Sequence, residues 1–167
     1  SKQTVAIVKE VAKKKPRTDW DCTYIPHGIH EDYYKPVTNE KEITEMNAMR
    51  KQLTDDNIEF IVFYNNRNIR RKSPGDIIMA YKHFCDQLPK EQADKCCLLM
   101  HTQPRDQNGT DLPVVAKTIA PDYKVYFSEN KLSVVQLNYL YNIADVTINM
   151  ASNEGFGLGT CESLMAG

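Results

Sequence analysis

Two carboxylates, Glu154 and Glu162, stand with seven residues between them, and Gly155, Gly157 and Gly159 crowd the turn they bracket. The apolar run Asp145-Val146-Thr147-Ile148-Asn149-Met150 leads into this turn and reads as a buried strand. The small-residue segment from Leu158 to Gly167 follows it and reads as the start of a helix. Strand, glycine turn and helix together aim backbone N–H groups and a positive helix end at an anion, usually a phosphate. A carboxylate about one turn into such a helix can accept from both hydroxyls of a ribose while the phosphate sits at the helix start. Carboxylate and phosphate repel, so cations are needed opposite. Arg67, Arg70, Arg71 and Lys72 supply them within six positions, directly after the run Ile58–Tyr64. Arginine offers a planar fork to two phosphate oxygens and lysine a mobile point charge. Each charge-assisted contact is worth about 1.5–3 kcal/mol. Taken singly, the basic loop is a solvated loop, Glu154 a loop charge and Glu162 a helix charge; the combination points to binding.

The elements around these residues are legible from periodicity. Ile58–Tyr64 is β-branched and aromatic almost throughout and predicts a central buried strand. Further strands are predicted at 96–101, 124–127 and 146–150. Helices are predicted at 40–53, with Ile43, Met46, Met49 and Leu53 on one face, and from Pro74 to about Leu88, where Pro89 ends it. In that second helix Ser73 is the expected N-cap, and Ile77, Ile78, Tyr81, Phe84, Cys85 and Leu88 point inward. Two more helices are expected from Asp111 to about Ala120 and from a Ser133 cap to Asn142. The alternation predicts an α/β fold, a Rossmann-like parallel sheet with helices on both faces. Ligands of such sheets lie at the carboxyl ends of the strands, where both the basic loop and the glycine turn fall. Upstream, residues 3–15 read as a helix with a solvated lysine-rich end, 17–22 as polar loop, and Cys22–Ile25 as a short strand. The proline-flanked loop from His27 to Pro36 marks a boundary. The domain reading is therefore 1–36 as amino-terminal helix and connection, and 37–167 as a binding domain, incomplete at its carboxyl end.

Bulk properties exclude several classes. The formal net charge is −1, which gives no global electrostatic case for nucleic acid or an anionic membrane. Five cysteines with no CxxC pair read as reduced thiols of a cytoplasmic protein, and no His/Cys spacing predicts a metal site. No apolar run is long enough for a transmembrane helix. Tyr33, Tyr34, Tyr64, Tyr139 and Tyr141 read as packing residues. His27 either lines a cleft or is a loop imidazole without a task. His101, ending a strand on the ligand side, is a candidate contact to nucleotide or sugar.

The block from Glu154-Gly155-Phe156-Gly157-Leu158 through Glu162-Ser163-Leu164-Met165-Ala166-Gly167 resembles the E-x7-E signature of retaining glycosyltransferases of the GT-B fold, close to glycosyltransferase family four. Tyr24-Ile25-Pro26-His27-Gly28-Ile29 is similar to the family's stretch that enters the nucleotide-sugar domain. Arg67 and Lys72 resemble its arginine–lysine pair, and Leu137, Leu140, Tyr141 and Ala144-Asp145-Val146 match the helix and strand leading to E-x7-E. The likeness covers about residues 23–167. It departs from the family at Asn66 (usually glycine), at His30 (commonly aspartate), at Ser73-Pro74 (which part Lys72 from Gly75) and at His101-Thr102 (usually a glycine-rich turn).

The resemblance implies a transferase moving a sugar from a nucleotide-diphosphate sugar to an acceptor with retention, this chain being the donor-binding carboxyl-terminal half. It implies that Arg67 and Lys72 hold the diphosphate, that Glu154 orients the donor sugar, and that Glu162 binds the ribose. Gly155, Phe156, Gly157, Leu158, Gly159 and Thr160 would line the donor site, with His27, Gly28 and His101 as further contacts. No metal or other cofactor is implied, because cationic side chains and a helix end take the metal's place. The acceptor (glycan, lipid-linked sugar or protein) is open, and an amino-terminal GT-B domain would complete the cleft. By itself the chain is expected to bind nucleotide weakly and to turn over nothing. The competing reading is a non-catalytic Rossmann-like nucleotide-binding or interaction module.

Overall fold

The computed structural model describes residues 1–14 and 20–167. Four parallel strands form one sheet in the order β3-β2-β1-β4. They are β1 (Phe60–Asn65), β2 (Cys96–His101), β3 (Lys124–Ser128) and β4 (Val146–Thr147). β1 pairs with β2 from Phe60–Cys96 through Asn65–His101, and on its other edge with β4 at Val62–Val146 and Phe63–Thr147. The chain thus builds outward from β1 to β3, then returns to the far side of β1. That reversal lies between β1 and β4, and it opens a crevice at their carboxyl ends.

The period-two alternation of β1 and β2 divides the core. Val62, Tyr64, Leu98 and Met100 face one layer with Ile77, Ile78, Tyr81 and Cys85 of α3 (Pro74–Asp86) and Leu112 and Ala116 of α5 (Leu112–Ile119). Ile61, Phe63, Cys97 and Leu99 face the other. There they meet Met46, Met49 and Leu53 of α2 (Glu40–Leu53), Leu140, Tyr141 and Ile143 of α6 (Val134–Ile143) and Ala166 of α7 (Leu158–Ala166). Helices therefore cover both faces, as the alternation predicts. Cys85, Cys96 and Cys97 are core thiols, and burial pushes Cys97 up to about 12. α6 starts on the expected Ser133, which forms a reciprocal capping box with Gln136.

Asparagines of α6 fix the connection before α2. Asn138 accepts from the Lys35 N–H at 3.1 Å and donates to the Lys35 carbonyl at 3.0 Å. Asn142 accepts from the Val37 N–H at 2.8 Å. The extended segment at 35–37 is thereby bonded to a helix as a strand would be to a ladder.

Several expectations are corrected. Cys22–Ile25 forms no strand: no sheet edge receives it, and Ile25 is 81% exposed. Ser73 does not cap α3 with its side chain. It takes a left-handed conformation, φ 47°, as the chain leaves a 3-10 turn at Arg70–Lys72. Phe84 lies at the rim against Phe60 and is not inward. A short helix, α4 (Lys90–Ala93), follows Pro89 unforeseen. β4 pairs over two residues and not five, because after the Ile148 N–H donates to the Phe63 carbonyl the chain leaves β1 and turns toward the basic loop. The amino-terminal helix, α1, spans Lys2–Lys13 and buries no residue. Lys15, the expected last residue of this helix, with Pro16 and the loop start at 17–19, lies outside the described residues.

Candidate functional site

The glycine turn and the basic loop meet because their strands are neighbours. The Ser152 N–H donates to the Arg71 carbonyl at 2.8 Å, which joins the two loops by backbone. Arg71 Nη1 donates to the Asn153 carbonyl at 2.9 Å and to Glu154 Oε2 at 3.3 Å. Lys72 donates from Nζ to Glu154 Oε1. Lys72 is only 7% exposed, so its ammonium has few partners besides this carboxylate. Burial alone would raise the Glu154 carboxyl. The hydrogen bond and charge of Lys72, helped by Arg71, outweigh that and hold it below its usual range.

A cleft of about 700 Å³ opens beside this cluster. Lys72, Asn66 and Glu154 form its polar wall, and Gly155, Phe156, Gly157, Leu158 and Gly159 its floor. Ser1, Tyr24, Ile25, Pro26 and His27 also line it. The His27 ring lies 4.9 Å from that of Phe156, so the imidazole is a wall of this cleft. Gly157 adopts φ 87° at the N-cap of α7, a left-handed conformation in which a side chain would be strained. Gly157, Leu158 and Gly159 line the cleft, so the start of α7, whose first N–H groups lack intrahelical partners, lies at it. A cation, a helix start and a displaceable carboxylate around one cavity can bind a phosphate-bearing ligand.

Other expected site residues lie nearby without lining the cleft. Arg67 forks onto Asp106, with Nε to Oδ2 at 2.8 Å and Nη2 to Oδ1 at 3.3 Å, and its side chain is largely exposed. Arg71, not Arg67, accompanies Lys72 at Glu154. Glu162 is half-buried and turned to the α6 side, where it accepts from the Tyr141 hydroxyl at 2.7 Å. Thr160 accepts from the Asn149 amide at 3.1 Å. Gly28 is exposed just beyond the cleft. His101 pairs its Nδ1 with Ser128 Oγ at 3.1 Å across β2 and β3, and burial pushes its imidazole below the usual histidine range.

Sequence reasoning missed Asn68. It is fully buried inside the basic loop. Its amide donates to the carbonyls of Gln103, Pro104 and Thr110, and its Oδ1 accepts from the Thr110 N–H. Gly109 packs so closely here that a Cβ would fall 2.3 Å from the Asn68 carbonyl oxygen. The basic loop is therefore fastened to the loop after β2. An asparagine between arginines was the available signal, since solvated basic loops do not need one.

The architecture recurs in solved structures. The carboxyl-terminal domain of a glycosyl transferase group 1 family protein, LpcC, from Francisella tularensis superposes with a TM-score of 0.61 at 17% identity, covering 83% of this chain and 66% of that one. The fold is that of a group 1 glycosyl transferase carboxyl-terminal domain. The apo structure of OtsA matches with a TM-score of 0.62 at 15% identity over 84% of this chain and 33% of its own. The E. coli trehalose-6-phosphate structure bound with UDP-2-fluoro glucose matches at 0.60 and 16%, over 83% and 33%. In sequence, the chain is 28% identical over 169 residues to the alpha-monoglucosyldiacylglycerol synthase of Acholeplasma laidlawii. That alignment takes in 98% of this chain and 39% of the relative, so the chain spans about two fifths of that protein's length. No protein-family model matches.

Proposed function

We propose that this chain is the donor-binding part of a retaining glycosyltransferase that takes a sugar from a nucleotide-diphosphate donor. The observation that carries the reading is the convergence of Lys72, Glu154 and the glycine-lined start of α7 on one cleft at the β1/β4 reversal. Similarity to a glucolipid synthase, and a shared fold with a structure that holds UDP-2-fluoro glucose, support it.

In this reading the diphosphate displaces Glu154 from Lys72 and seats its oxygens on the ammonium, the Arg71 guanidinium and the N–H groups of Gly157, Leu158 and Gly159. These donors stabilise the charge that grows on the leaving diphosphate as the bond to the sugar carbon breaks. The released Glu154 turns to the hydroxyls of the donor sugar, while Glu162 takes the ribose. Arg67 joins the diphosphate only by leaving Asp106. His27 and Phe156 bound the sugar end of the cleft. An amino-terminal domain carries the acceptor, and because the Acholeplasma relative is named for making a monoglucosylated diacylglycerol, a diacylglycerol is the first acceptor to test.

Calorimetric titration of the chain with UDP-, GDP- and ADP-sugars tests this. Base-selective binding that disappears in Lys72→Met is expected. A folded chain that binds none of them overturns the reading in favour of a non-catalytic module.

A further inference from the structure

We propose that Tyr141 is a positioning residue for Glu162, setting the carboxylate that discriminates a ribose from a sugar lacking its hydroxyls. The inference rests on the donor reading above. Tyr141 sits on α6, 4% exposed, at the point where β1, α6 and α7 meet. Its hydroxyl makes two short bonds of opposite sense. It accepts from Asn65 Nδ2 at 2.7 Å and donates to Glu162 Oε2 at 2.7 Å. Asn65 is the last residue of β1, next to Asn66 in the cleft wall. The relay thus runs from the strand that carries the basic loop to the helix that starts at the glycine turn.

The packing leaves the hydroxyl little freedom. The Tyr141 ring stands edge-on to Phe63, at 5.4 Å and 81°, and to Tyr34, at 6.0 Å and 71°. Gly159 closes the assembly from the α7 side. A Cβ there would lie 3.4 Å from both the Asn65 carbonyl oxygen and the Tyr141 hydroxyl. Burial also raises the phenol well above its ordinary value, so it remains a donor at any working pH. Tyr141 bonds Oε2 and the Tyr34 hydroxyl also faces the carboxylate, so Glu162 is held in one orientation. A ring that only filled space would need no hydroxyl, and a buried hydroxyl matched on both lone pair and proton specifies geometry.

Tyr141→Phe keeps the ring and removes the relay. The test compares UDP, GDP and ADP with their 2′,3′-dideoxy counterparts on wild type, Tyr141→Phe and Glu162→Gln, with the melting temperature of each. Wild type is expected to prefer the ribonucleotide. Tyr141→Phe should lose about tenfold in ribonucleotide affinity, the scale of one charge-assisted hydrogen bond, and leave dideoxy binding unchanged. If Glu162→Gln abolishes the preference while Tyr141→Phe retains it, the positioning role is wrong and the donor reading survives. If wild type binds both forms without preference, the inference falls while the donor reading stands; if it binds neither, both fall. Equal loss for ribo and dideoxy forms, with a lowered melting temperature, means Tyr141 only supports the fold and overturns the inference.

Discussion

Replacing Glu154 by glutamine should tighten the binding of a bare nucleoside diphosphate. In the ligand-free chain the carboxylate holds the Lys72 ammonium through Oε1 and the Arg71 guanidinium through Oε2. An incoming diphosphate competes with it for both cations. Glutamine keeps the shape and one acceptor oxygen but has no charge. A charge-assisted hydrogen bond contributes about 1.5–3 kcal/mol and a neutral one about 0.5–1.5 kcal/mol. The competitor is therefore weakened by about 1–1.5 kcal/mol, which corresponds to about five- to twelvefold tighter binding. Calorimetry with UDP, GDP, ADP and inorganic pyrophosphate at fixed ionic strength reads this directly. The gain should shrink for the corresponding nucleotide sugars, because the same carboxylate is then needed at the sugar hydroxyls. Unchanged or weaker pyrophosphate binding by Glu154→Gln would refute the reasoning, for Glu154 would then not be the group a phosphate displaces.

Lys72→Met should weaken pyrophosphate binding by about 1.5–3 kcal/mol and flatten its salt dependence, since it removes the buried cation of the cleft; equal affinity in calorimetry would count against a phosphate seat there. Asn68→Ala should destabilise the fold by about 3 kcal/mol in urea unfolding: its two N–H hydrogens and one oxygen serve one buried and two part-buried backbone groups that would lose their partners. A loss under about 1 kcal/mol would show that the loop repacks without it. His101 has its imidazole pushed below the ordinary 6.5 by burial, so the unfolded chain binds a proton first as pH falls. Stability should therefore drop as pH is lowered through 6.5 and level off below the folded value, and His101→Gln should remove that step from urea titrations across the window.

What the sequence made legible was the part governed by local pattern. The near-continuous apolar run of β1, the Ser133 cap and the prolines at 74 and 89 act over a few residues, and each predicts its element. The meeting of the basic loop with the glycine turn was also readable, conditionally on β1 and β4 being neighbours, which they are. Side-chain pairing across loops was not. Arg67 and Asp106 are thirty-nine positions apart, and nothing local says that this arginine, and not Arg71, is the one diverted. The Cys22–Ile25 run has strand composition, but a strand requires a ladder, and this run pairs with neither edge strand, β3 or β4.

The same distinction explains how the site is built. Its cations and carboxylate belong to two loops whose own hydrogen bonds are few. Each loop is made definite by a residue chosen for geometry and not for charge. Asn68 fastens the basic loop to the turn after β2, Tyr141 and Asn65 fix the helix that follows the glycine turn, and Gly157 supplies the bend between them. Lys72 and Glu154 can then be brought together and separated again without disturbing the sheet. A ligand that exchanges with Glu154 meets a cation already desolvated and aimed, so little ordering remains to oppose binding. On the proposed donor reading, chemistry placed on loops, with precision supplied by uncharged residues behind them, would allow a carboxylate to guard a phosphate seat and then turn toward the sugar.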